Sequence, residues 1–161
     1  MLLLVCFYTT CLLYAQCGKV ISVKDGDTFE ILLSENQKQK VRIAYVDAPE
    51  HQQEFGDKSR QYLTKLVQNQ KVCLDVKYID PYKRSVAIVK LSDGRNVNEL
   101  LIKNGMAWHF VKYSADKNLA DLELKARKAK IGVWASANPT APWLFRKQHH
   151  IGFRPKVKRS F

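Results

Sequence analysis

The chain has 161 residues and carries 27 Lys and Arg against 15 Asp and Glu, which gives a formal net charge of +12. This length supports one domain with a single core. The positive charge favours polyanionic partners, although membrane-surface proteins and other soluble basic proteins carry a similar charge. The sequence has no G-x4-G-K-[ST] loop, no H-E-x-x-H and no Cys-x-x-Cys pair. Their absence argues against a nucleotide-hydrolysing protein and against a structural zinc site.

The first predicted element is an apolar leader. Residues 1–17 carry no charged side chain and are apolar over about the length of a signal-peptide core, which is short for a membrane span. We expect residues 1–17 to be a signal peptide, cleaved after Ala15 or near Cys17, although the usual basic leader is missing. The protein would then be exported, either secreted or periplasmic. An uncleaved leader would instead form an N-terminal membrane anchor.

Five strands are predicted from the alternation of apolar and polar side chains. They cover residues 19–23, 28–33, 39–45, 72–78 and 86–91. Between the first two strands, Asp25-Gly26 is a strong hairpin-turn signal that requires no chemical role. The third strand is expected to run through Tyr45, with Arg42 on the face opposite Val41 and Ile43.

Three helices are predicted, over residues 57–67, 97–104 and about 119–130. Apolar residues recur in them at helical spacing, Gly105 ends the second, and Gly132 follows the third. An α+β fold accounts for this order: a five-stranded OB-type barrel with about three α-helices, whose groove is a common nucleic-acid surface. We assign residues 18–147 to this domain.

The end of the chain is strongly basic. From Leu144 onward it has no acidic residue and six basic side chains: Arg146, Lys147, Arg154, Lys156, Lys158 and Arg159. Gly152, Pro155 and the lack of periodicity predict a flexible arm over residues 148–161. We expect all six charges to lie outside the active site and to tether polyanions. His149-His150 has no Cys or acidic neighbour, so no metal site is expected there.

Three carboxylates and two arginines carry the chemistry: Asp27, Asp47, Glu50, Arg42 and Arg84. Carboxylates that lie together at strand ends can hold a hard divalent cation through oxygen ligands. Arginines supply planar, permanently charged forks that match phosphate oxygens. Both groups in one cleft can bind a phosphodiester and activate a water, which is typical of a nuclease.

Each of these motifs also has a purely structural explanation. The run 47–50 is equally consistent with a polar strand that ends in a proline turn. Arg42 and Asp47 lie five residues apart, which is roughly 16 Å along a straight strand. They can share a site only if the strand curls, as it does in a small, tightly coiled barrel.

Taken in order, the motifs resemble the staphylococcal nuclease (thermonuclease) family from about Lys19 to Arg146. The matching blocks are D-G-D-T at 25–28, R-x4-D-x-P-E at 42–50, D-x-Y-x-R at 80–84, and the segments 93–98, 105–108 and 126–134. The closing run 142–146 is similar to the end of secreted bacterial members.

The resemblance implies a calcium site. Asp27 and Asp47 match the side-chain ligands of the metal. Ala48 stands where the family often has Thr, and because that residue ligates through its backbone carbonyl, the change does little harm. An all-oxygen ligand set that includes a carbonyl is consistent with Ca²⁺.

The resemblance also implies roles in catalysis and substrate binding. Glu50 matches the carboxylate that orients or deprotonates the attacking water. Arg42 and Arg84 match the arginines that grip the scissile phosphate. Tyr82 and Tyr113 fall at or near positions that contact the nucleotide.

Two local expectations concern the loop of Arg84 and the cysteines. The family usually has Gly before the second arginine, where this chain has Lys83, and Lys adopts left-handed backbone angles less readily than Gly. The Arg84 loop is therefore expected to differ locally. Because the first and fourth strands of an OB barrel are neighbours, Cys17 and Cys73 could pair in an oxidising compartment.

The function implied by the resemblance is a calcium-dependent endonuclease that cleaves DNA and RNA and leaves 3′-phosphate ends. We expect it to act as a monomer, with no stable membrane partner after signal removal. Two alternatives are a non-catalytic OB-type nucleic-acid-binding module and a membrane-surface protein held by its apolar N-terminus and basic tail. The presence of all five site residues favours the enzyme.

Overall fold

The computed structural model describes residues 16–149. Residues 1–15 and 150–161 lie outside the described residues, so the signal peptide and the flexibility of the arm over 150–161 stay predictions, as does the lack of a metal site at His150. Of the arm predicted over 148–161, Gln148 lies in the last helix, with His149 as its C-cap. Gln16 and Cys17 lie in the described part of the first strand, inside the range expected for the signal peptide.

A closed five-stranded barrel forms the body of the protein, which confirms the predicted α+β class. Its strands are β1 (Gln16–Val23), β2 (Thr28–Leu32), β3 (Lys38–Ile43), β5 (Lys71–Ile79) and β6 (Ser85–Leu91), and a separate two-stranded sheet holds β4 (Val46–Asp47) and β7 (Trp108–His109). Around the barrel the order is β1-β2-β3-β6-β5. Among the strand pairs of residues 16–149, only that of β3 with β6 is parallel.

Four helices surround the barrel within the described residues: α1 (Gly56–Val67), α2 (Val97–Lys103), α3 (Lys117–Lys128) and α4 (Pro142–Gln148). The first three were predicted. The fourth was not, although proline at the start of a helix is a known signal. Over residues 16–149, no helix is long and apolar enough to cross a bilayer.

Two apolar clusters hold these elements together. The larger fills the barrel with side chains such as Phe29, Ile31 and Ile43, and Leu63 of α1 is completely buried against it. Burying one such side chain stabilises the fold by about 1.5–3 kcal/mol. The smaller cluster contains Trp108, Ala126, Val133, Trp134 and Ala141. It holds the segment from which α4 starts.

The prediction that the third strand runs through Tyr45 is wrong. The strand ends at Ile43, and Tyr45 adopts a left-handed φ of 65° before the chain resumes as β4. Long-range hydrogen bonds hold this turn: the Ala44 N–H donates to the Ala87 carbonyl, and the Phe110 N–H donates to the Tyr45 carbonyl. Tertiary pairing therefore overrides the local alternation pattern.

Cys17 and Cys73 form a disulfide, as the barrel topology predicted. They face each other in the register of β1 and β5, and 56 residues separate them in sequence. The disulfide crosslinks the two strands whose pairing closes the barrel.

Candidate active site

All the predicted site residues line one cleft of about 870 Å³ at the end of the barrel. These are Asp27, Arg42, Asp47, Ala48, Glu50, Tyr82, Arg84 and Tyr113. Arg146, which was counted among the basic charges outside the active site, lines it as well. Residues from both halves of the chain therefore meet in a single depression.

Asp27 is placed by the hairpin turn between β1 and β2. Its backbone N–H donates to Asp25 Oδ1 (3.1 Å), and its own Oδ2 accepts the Ala48 N–H (2.7 Å). Gly26 is required because an added Cβ would collide with Ser59 of α1 and lie 2.7 Å from the Ala48 Cβ. Asp25-Gly26 therefore forms the turn and also places the Asp27 side chain in the site.

Arg42 joins the two buried aspartates. Its Nη2 lies 3.0 Å from Asp27 Oδ2 and 3.0 Å from Asp47 Oδ1, while its Nη1 donates to the carbonyls of Ile43 and Val46. The turn at Tyr45 brings Asp47 back beside Arg42. The predicted approach of these residues is thus confirmed, although a turn produces it rather than a coiled strand.

The two aspartates differ from ordinary surface carboxyls. Burial raises the pKa of Asp27 to about 6, against the opposing charge of Arg42. Burial also raises the pKa of Asp47, although hydrogen bonding from Arg146 lowers it in part. Two desolvated carboxylates so close together form a region where a further positive charge is favoured.

Arg146 is a site residue that the sequence reasoning missed. Its Nη1 donates to Glu50 Oε1 (2.6 Å) and Asp47 Oδ1 (3.1 Å), and its Nη2 donates to Asp47 Oδ2 (2.8 Å). Partial burial alone would lower its pKa, but the bonds to Asp47 and Glu50 outweigh this and raise it. The prediction that Arg146 lies outside the site is wrong, because α4 folds back onto the cleft.

Arg84 is held by Asp80 in the turn between β5 and β6. Asp80 Oδ1 accepts the N–H groups of Tyr82 (2.9 Å) and Arg84 (3.0 Å), and Oδ2 accepts the Arg84 Nε–H (2.7 Å). Burial alone would raise the pKa of Asp80, but these bonds outweigh it and hold the pKa below its usual value. Lys83 takes a left-handed φ of 61° despite its side chain.

An aromatic wall flanks the charged groups. Tyr82 and Tyr113 line the cleft and are both more than half exposed. Phe110 meets Tyr113 edge-on (4.8 Å between ring centroids) and stacks on Trp143 of α4 (5.3 Å). Exposed rings at the edge of a cleft that also contains arginines can stack on nucleic-acid bases.

The donor set fits a hard divalent cation. No group of three or more His, Cys, Asp and Glu side chains suited to a metal occurs within residues 16–149. Two buried aspartates with the Ala48 backbone between them and Glu50 nevertheless provide oxygen donors only, which Ca²⁺ and Mg²⁺ prefer. Asp27, Asp47 and the Ala48 carbonyl could hold such an ion, completed by waters.

Comparison with known proteins identifies the family. The family model described as "Staphylococcal nuclease homologue" matches residues 40–136. An "Uncharacterized endonuclease" of Haemophilus influenzae is 39% identical over 133 residues, which cover 83% of this chain and 74% of that protein. A protein of the same name from Escherichia coli O157:H7 is 36% identical over 80% of this chain and 84% of its own. A "Micrococcal nuclease" of Shigella flexneri is 34% identical over 81% and 80%. The chain belongs to the staphylococcal nuclease homologue family.

Proposed function

We propose that this protein is a calcium-dependent endonuclease that hydrolyses phosphodiester bonds of DNA and RNA. Family membership and the names of the relatives support nuclease activity. One observation carries the proposal to particular residues: Arg42 joins Asp27 and Asp47 at 3.0 Å, in a cleft that also contains Glu50 and Arg84. This arrangement combines groups for a cation, a phosphate and a water.

Glu50 is the proposed acceptor of the water proton. The water oxygen forms a bond to phosphorus as the bond from phosphorus to the 5′ oxygen breaks. The water proton passes to Glu50, and solvent protonates the leaving oxygen, so that a 3′-phosphate and a 5′-hydroxyl remain. Glu50 suits this role because its carboxylate is about one-third exposed and can reach a water.

The arginines stabilise the phosphate as its charge grows. Of the guanidinium donors of Arg84, Asp80 accepts the Nε–H, which leaves the two terminal Nη groups for phosphate oxygens. Arg42 is more enclosed, with 14% of its side chain exposed, and its charge acts from the floor of the cleft. Such fixed positive groups act on the transition state without reorganising.

Asp27, Asp47 and the Ala48 carbonyl are the proposed calcium ligands. When bound, calcium would lower the pKa of a coordinated water and neutralise charge on the phosphate. Tyr82 and Tyr113 are the proposed contacts to the nucleotide. We further propose that the enzyme is exported and acts as a monomer, and the Cys17–Cys73 disulfide supports an oxidising compartment.

A non-catalytic nucleic-acid-binding module is the alternative in another class. The buried aspartates argue against it, because a groove that only binds polyanions gains nothing from two desolvated carboxylates facing them. A membrane-surface protein held by its termini would not need this cluster either.

The test is cleavage of denatured DNA and of RNA by the full chain, with calcium, with magnesium or with excess chelator. We expect cleavage with calcium, weak cleavage with magnesium because its geometry is stricter, and none with chelator. Circular dichroism in chelator should show an intact fold. Full activity in chelator would remove the metal from the proposal, and binding without cleavage would favour the alternative.

A further inference from the structure

We propose that Arg146 is a positioning residue of this active site: it fixes the Glu50 carboxylate against Asp47 by occupying oxygens that a divalent cation would also use. The inference rests on the proposed nuclease function and adds a third arginine to it.

The contacts of Arg146 form a bridge. The guanidinium spans both oxygens of Asp47 with its two terminal nitrogens, and one of these also donates to Glu50 Oε1 at 2.6 Å. A planar fork held on two carboxylates restricts their relative position far more than a single charged contact does. The orientation of Glu50 therefore depends on Arg146.

Arg146 is held in place by the docking of α4. Ala141 and Pro142 are buried, and the Trp143 ring lies parallel to Phe110 at 5.3 Å. Only 29% of the Arg146 side chain is exposed. The guanidinium is therefore placed before substrate arrives, unlike that of a mobile surface arginine.

Gln53 provides a second, independent link between Glu50 and the start of α4. Its Oε1 accepts the Glu50 backbone N–H (3.2 Å), and its Nε2 donates to the Thr140 carbonyl. The backbone and the side chain of Glu50 are thus both tied to the segment that carries Arg146. Two separate attachments favour a positioning role over an incidental surface ion pair.

The charges predict an unusual pair of effects. Three carboxylates (Asp27, Asp47 and Glu50) share two guanidiniums, from Arg42 and Arg146, so the cluster has a formal charge of −1. Removal of the Arg146 charge makes the cluster −2 and frees the oxygens of Asp47, which should strengthen cation binding. The same change releases Glu50, which should slow turnover.

The experiment compares Arg146→Gln with Lys128→Gln in the full chain. Lys128 is exposed at the end of α3 and does not line the cleft, and its replacement removes the same charge. Calcium affinity is measured by titration calorimetry without substrate, and kcat and KM are measured on single-stranded DNA. For R146Q we expect severalfold tighter calcium binding, with kcat lower by roughly 10- to 100-fold. We expect KM to change little and K128Q to resemble the wild type.

Arg146→Lys separates charge from geometry. It keeps the net charge but lacks the fork, so calcium affinity should stay near the wild-type value while kcat still falls. Thermal unfolding checks that each variant folds, and R146K remains informative if R146Q does not.

Three results would overturn the inference. Parallel losses of calcium affinity and kcat in folded R146Q would indicate a merely structural role, and wild-type values of both would remove Arg146 from the mechanism. If R146Q does not fold, a wild-type kcat in R146K would likewise remove Arg146 from the mechanism. A wild-type protein that neither binds calcium nor cleaves would instead overturn the proposed function itself.

Discussion

The Asp80 carboxylate accepts two hydrogen bonds from Arg84, from the backbone N–H at 3.0 Å on one oxygen and from the Nε–H at 2.7 Å on the other. One carboxylate therefore shapes the turn and also aims the guanidinium at the cleft. Lys83 lies inside this turn with left-handed backbone angles. The bonds to Asp80 hold the turn in that conformation although glycine would adopt it more readily.

Asp80→Asn should slow cleavage through Arg84. The amide loses the charge that orients the Nε–H, and misplacement of a phosphate-binding group by about 1 Å can cost on the order of 100-fold in rate. We expect kcat/KM to fall by roughly 10- to 100-fold. The matched control is Asp93→Asn, because Asp93 makes the same contacts to Arg95 in an exposed turn. Equal effects of the two variants would contradict the role given to Arg84.

Asp27→Asn should abolish calcium binding without unfolding the protein. Burial raises the pKa of Asp27 to about 6, so its charged form opposes folding at neutral pH and a neutral amide removes that cost. Calcium at 100 times its Kd should stabilise the wild type by about 2.7 kcal/mol and the variant by nothing. Thermal unfolding with and without calcium measures this, with the exposed Asp121→Asn as control. A calcium-induced stabilisation in D27N would remove Asp27 from the ligand set.

Glu50→Gln should affect turnover far more than binding. The amide keeps the shape of the side chain but accepts no proton from water, and general-base catalysis contributes about 10²- to 10⁴-fold. Kinetics on single-stranded DNA should show a loss of kcat in this range with KM nearly unchanged. The control is Glu54→Gln, which lies nearby and whose carboxylate contacts Ser136 instead. A near-normal kcat in E50Q would assign proton transfer to another group.

Lys83→Gly should stabilise the protein. A non-glycine residue at a φ of 61° costs roughly 1 kcal/mol, part of which is lost again because glycine is more flexible in the unfolded chain. We expect a net gain of about 0.5 kcal/mol in urea unfolding. The control, Gln61→Gly in the middle of α1, should lose about 1 kcal/mol. Destabilisation by both would mean that the Lys83 side chain makes a contact that matters.

Reduction of the disulfide should cost substantial stability. A crosslink that closes a loop of 56 residues is worth about 4 kcal/mol through the entropy of the unfolded chain. Thermal unfolding of the wild type should therefore shift downward with a reducing agent, whereas Cys17→Ser combined with Cys73→Ser should start low and stay there. A wild type that is insensitive to reductant would show that the crosslink contributes little.

Much of the fold was predictable because it follows local pattern. Alternating side chains predicted all five barrel strands. Helical spacing predicted α1 to α3, with a glycine stop after the second and third. The error at Tyr45 and the omission of α4 share a cause. Both elements are set by contacts with distant residues, such as the stacking of Trp143 on Phe110, which a local pattern does not contain.

The residues of the candidate site were also predictable only in part. Asp27, Arg42, Asp47, Glu50 and Arg84 lie in short motifs, and the structure brings all of them to one cleft. Arg146 lies 99 residues from its partner Asp47. In sequence it is one basic residue in a run of basic residues, and only the docking of α4 distinguishes it.

The Cys17–Cys73 disulfide also has a mechanical meaning. Residues Gln16 to Lys19 pair with β5, and only from Lys19 onward does β1 also pair with β2. A pulling force on the chain ahead of Cys17 would otherwise peel β1 away one hydrogen bond at a time. The crosslink passes that force directly to β5 at Cys73, so that β1 and β5 must yield together rather than one after the other.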